Sequence, residues 1–150
     1  MNTKPVCFIG IDNILILNAS ATKEDKEELK ELFLELNNKT EIVLVSDWGE
    51  IGALLIKQLF DIEIKETINT KDKDRIREII NWLRDNLKIR ESVIMIFNRF
   101  THDELSWTDL RSSGLLEEYV RQGETNIFSI DDPSKGLINQ DIKEFLKNLT

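Results

Sequence analysis

Short apolar runs alternate along this chain with stretches whose apolar residues recur every three or four positions. The first run opens at Pro5. Val6-Cys7-Phe8-Ile9 has the uninterrupted, partly β-branched character of a strand buried on both faces. Gly10, Asp12 and Asn13 interrupt the pattern where such a strand should end, ahead of a second apolar stretch from Ile14 to Leu17. In open α/β sheets chemistry sits beyond the carboxyl ends of the strands, so these three positions face the expected site.

After a polar turn at Asn18 to Thr22, Thr22 with Asp25 three residues later makes a capping-box-like helix start. Leu29, Leu32, Phe33 and Leu36 follow helical spacing, and Asn37-Asn38 closes the helix. Thr40 to Val45 reads as a second buried strand, ending in Ser46-Asp47-Trp48-Gly49. A helix is predicted over Glu50 to Phe60, with Ile51, Leu54, Leu55 and Leu59 on one face. Ile62 and Ile64, alternating with Glu63 and Lys65, suggest a short third strand at a sheet edge. Lys71 to Asn86 is the clearest helix, with Ile76, Ile79, Ile80 and Leu83 as its stripe. Ser92 to Phe97 supplies a fourth strand, and Thr101 to Gln122 a helical stretch broken at Ser112-Ser113-Gly114. Asn126 to Ile130 gives a fifth strand, and Ile138 to Leu149 a closing amphipathic helix.

Five strands alternating with helices imply parallel pairing through right-handed crossovers. The expected fold class is α/β: a three-layer, doubly wound, Rossmann-like parallel sheet in the order 3-2-1-4-5, with the opening strand central. Its switch point falls between the first and fourth strands, next to Gly10, Asp12 and Asn98. No repeat or Gly/Ser/Pro-rich linker divides the sequence, so residues 1–150 read as one domain.

Composition narrows the function classes. A 41% hydrophobic and 32% charged chain of 150 residues is typical of a soluble globular domain. Its apolar runs fall far short of the roughly 20 residues that span a bilayer, and no charged segment followed by an apolar core marks a signal peptide. The net charge of −8, with no basic stripe, argues against a nucleic-acid partner. The single Cys7 fits a reducing, cytoplasmic compartment and reads as a small buried hydrophobe. With His102 the lone histidine, multi-histidine metal sites are excluded.

These residues resemble the haloacid dehalogenase-like (HAD) superfamily of phosphohydrolases. Phe8-Ile-Gly-Ile-Asp-Asn-Ile-Leu15 is similar to that family's first motif, a buried strand ending Asp-x-Asp-Gly-x-Leu, with Gly10 at the first Asp and Asn13 at the Gly. Val43-Leu-Val-Ser-Asp-Trp-Gly49 looks like the second, a strand ending in Ser or Thr, with Ser46 in the phosphate-binding place. Lys71 or Lys73 could supply the motif lysine near a helix start. Ile94-Met-Ile-Phe-Asn-Arg99 stands where a strand would end in paired acids, with Phe97-Asn98 instead. Ile130-Asp-Asp-Pro-Ser-Lys-Gly-Leu137 is similar to the closing segment of small members.

The resemblance implies a covalent mechanism in which the first Asp attacks phosphorus and the second acts as general acid and base. Asp12 matches the second; Gly10 replaces the nucleophile. Phe97 and Asn98 cannot supply the carboxylate charge that holds Mg²⁺, although an Asn98 carbonyl is a weak ligand. Losing a covalent nucleophile costs on the order of 10⁶ in turnover in a serine hydrolase. The expectation is therefore a catalytically impaired HAD-like domain serving as a binding or regulatory protein. Asp12 is its vestigial acid/base, Ser46, Asp47, Lys71 and Lys73 its phosphate-binding set, and Asn98 a degenerate metal position. No cofactor is expected, with Mg²⁺ the ion required by any remaining activity.

Blander readings stand beside these. Asp12 can cap loop amides, Ser46 can satisfy backbone at a strand end, and Lys71 and Lys73 belong to a solvated charged run. Trp48 reads as a packing residue over the sheet edge, and Trp82 and Trp107 as core or interface anchors. His102, Asp103 and Glu104 could form a displaced acid cluster, while Asp131-Asp132 reads as a turn around Pro133. Three alternatives in function are an active Mg²⁺-dependent phosphatase, a PIN-like nuclease using Asp12, Asp103, Glu104 and Asp131, and a non-catalytic module presenting Trp107 to Gly123 to a protein partner or a second copy. Flavodoxin-like nucleotide binding lacks its Ser/Thr-rich phosphate loop.

Overall fold

A computed structural model describes residues 4–10, 22–73, 75–86, 93–98, 125–130 and 140–149. The elements are β1 (Val6–Gly10), α1 (Lys23–Lys39), β2 (Glu41–Ser46), α2 (Glu50–Phe60), β3 (Glu66–Asn69), α3 (Arg75–Asp85), β4 (Val93–Asn98), β5 (Thr125–Ile130) and α4 (Gln140–Asn148). The fold is α/β around a parallel sheet. β1 pairs in parallel with β2 on one side and β4 on the other, β3 continues beyond β2, and β5 beyond β4.

Every residue of β1 is buried, as its apolar run requires of a strand with neighbours on both sides. Successive side chains point to opposite faces. Cys7 and Ile9 share a cluster with Ile42 and Leu44 of β2, Ile94 and Ile96 of β4, and the buried stripes of α1, α2 and α4. Phe8 points the other way and meets Trp82 of α3 edge-on, ring centroids 5.5 Å apart. Burying one such side chain contributes about 1.5–3 kcal/mol, so this core decides where each helix lies.

The ends of α1 obey the local chemistry of its sequence. The Thr22 hydroxyl oxygen accepts from the Asp25 amide at 3.1 Å, the capping interaction expected from their spacing. At the other end Thr40 donates to the Leu36 carbonyl from its amide at 2.9 Å and from its hydroxyl at 2.7 Å. Lys39 then donates to the Leu146 carbonyl at 2.6 Å and pairs with Glu35, tying α1 to α4.

Three expectations are corrected. The third strand is Glu66–Asn69, not the Ile62/Ile64 segment. Ile62 is buried against the core cluster from an irregular connection, so its alternation with Glu63 reflects burial without ladder pairing. The helix expected from Lys71 begins at Arg75, leaving Lys71 and Lys73 in the preceding turn. Helix α2 turns Gly52 and Ile56 inward, with Ala53, Leu55 and Phe60 packed beside them, while Ile51, Leu54 and Leu59 face solvent. This helix is apolar around most of its circumference, so its large residues alone could not identify the inner face.

Candidate functional site

The sheet register brings the carboxyl ends of the strands into one line. Gly10 lies opposite Val45, one residue before Ser46, and Ser46 lies opposite Asn69. Ile9 lies opposite Ile96, two residues before Asn98, and Asn98 opposite Ile130. Gly10, Ser46, Asn69 and Asn98 therefore end four adjacent strands at the edge where α/β sheets carry their chemistry.

The turns after β2 and β3 are knitted together by Thr70, which is 2% exposed. Its amide donates to the Ser46 carbonyl at 3.1 Å, and its hydroxyl donates to Asp47 Oδ1 at 2.7 Å. Ser46 is itself buried, and its Oγ accepts from the Trp48 amide at 2.9 Å. The Lys73 amide donates to the Thr70 carbonyl at 3.1 Å, and the Lys71 amide to Asn69 Oδ1 at 3.0 Å. The backbones of Lys71 and Lys73 thus belong to the same knot as Ser46 and Asp47, while both lysine side chains are exposed. Trp48 does not cover the sheet edge: more than half of it is exposed, because the turn directs it outward ahead of α2.

Asn69 and Thr70 are site residues that the sequence reading passed over. Placing the third strand at Ile62 and the next helix at Lys71 left them in a featureless gap. Their signal was the β-branched Thr67-Ile68 pair just ahead, which belongs to the strand itself.

A divalent cation does not fit the described part of this edge. Mg²⁺ requires near-octahedral oxygen ligands, with carboxylates to balance its charge. Gly10 brings no side chain, Asp47 Oδ1 accepts from Thr70, and Asn69 Oδ1 accepts from Lys71, so Asp47 is the one carboxylate at the described strand ends and turns between β2 and β3 that joins this knot. Among the described residues no group of three or more His, Cys, Asp or Glu is arranged to hold a metal. Cys7, three residues before Gly10 on β1, is wholly buried, and desolvation pushes its thiol well above its ordinary range. It therefore stays protonated and is not a nucleophile. Asp12, Asn13, His102, Asp103, Glu104, Asp131 and Asp132 lie outside the described residues, as do Trp107 and the Trp107 to Gly123 segment.

Gly49 holds the β2 turn in shape, with φ of 54° and ψ of −133°. A Cβ there would stand 3.1 Å from Asn69 Nδ2. Gly49→Ala is expected to destabilise the chain by about 1–3 kcal/mol through backbone strain and displacement of Asn69. Urea denaturation measures this directly; an unchanged midpoint would mean that the turn adopts another conformation.

Comparisons with protein-family models, with curated proteins and with solved structures return no match.

Proposed function

We propose that this chain is a three-layer, doubly wound, HAD-like domain that has lost phosphohydrolase catalysis and acts as a binding or regulatory protein in the cytoplasm. One observation carries the reading: the central strand ends in a glycine, in register with Val45 and one residue short of Ser46. At that position the family's chemistry needs an attacking carboxylate, and Gly10 has none to give. The buried Ser46, tied to Asp47 and Thr70, is consistent with a retained scaffold. Asn98 at the end of β4 would be the remnant of a metal position, and Lys71 and Lys73 the remnant of a phosphate contact. No described helix is long and apolar enough to cross a membrane.

Phosphate release from p-nitrophenyl phosphate in Mg²⁺ tests this. The unaltered chain is expected to show no release above the uncatalysed rate. The paired substitution Gly10→Asp with Asn98→Asp is expected to introduce measurable Mg²⁺-dependent release, the carboxylates returning to an intact pocket. Robust turnover by the unaltered chain, abolished in Asp12→Asn, would overturn the reading.

A further inference from the structure

We draw no further inference here: the strongest candidate, the exposed apolar patch that Trp48, Ile51, Leu54 and Leu59 form on α2 and the turn leading into it, carries nothing because nothing in the structure shows what covers it.

Discussion

Phe33→Ala is expected to cost about 3–5 kcal/mol of folding stability, a large share of the 5–15 kcal/mol typical of such domains. Phe33 is fully buried in α1 and belongs to the cluster that includes Cys7, Ile9, Leu44 and Ile56. Its ring also packs against Phe60 of α2, centroids 5.8 Å apart at 49°. Truncation therefore loses the transfer of a ring from water and leaves a cavity lined from three elements. The strands of that cluster are paired on both sides, so they resist collapsing to fill it. The neighbouring Leu34, which is 39% exposed, is the internal control and should cost far less when cut to Ala. Urea titrations of both variants should shift the midpoint strongly for Phe33 and weakly for Leu34, at constant slope. Equal shifts would mean that the inward face of α1 has been misassigned.

The contrast between α1 and α2 explains how much of this fold was legible in the sequence. In α1 Leu29, Leu32, Phe33 and Leu36 recur at helical spacing among mainly charged residues and are buried, while Leu34 on the other side is exposed. In α2 the inward face includes Gly52 and Ala53, small residues that periodicity overlooks, and large apolar residues occupy the solvent side. The strands were legible where both faces are covered: Val6 to Ile9 and Ile42 to Val45 are uninterrupted because nothing polar fits there. The edge strand β3 was not, since exposed Glu66 and Asn69 carry no apolar signature and its hydrogen bonds are invisible in composition.

The site divides along the same line. Gly10 and Ser46 stood out because each interrupts an apolar run at its carboxyl end, and the register does bring them to adjacent strand ends. Thr70 did not, because its role depends on reaching Ser46 and Asp47 from twenty-odd residues away. Contacts set by sheet register rather than by sequence spacing leave no local pattern. Gly49 falls between the two cases: a glycine ahead of a helix is visible, but the positive φ and the nearby Asn69 that fix it are not.

Alkaline pH should destabilise this chain through Cys7, by an amount that one substitution can isolate. The thiol of the unfolded chain titrates near its ordinary 9.0, whereas burial on β1 keeps the folded thiol protonated far beyond that. Below pH 9 both states hold the proton, and Cys7 contributes no pH dependence. Above it the unfolded state loses a proton that the folded state retains, so rising pH favours unfolding by about 1.4 kcal/mol per pH unit. Between pH 9 and 11 that amounts to roughly 2–3 kcal/mol. Denaturant titrations of the unaltered chain and of Cys7→Ala should therefore converge as pH rises, since lysine and tyrosine titration is common to both. Parallel loss of stability in the two would show that the thiol is not buried in the folded state, and with it that β1 is not the enclosed central strand. Alkylation gives the same answer at fixed pH: iodoacetamide should modify Cys7 only as fast as the fold opens. A thiol held this way stays protonated in the folded chain and is not a nucleophile.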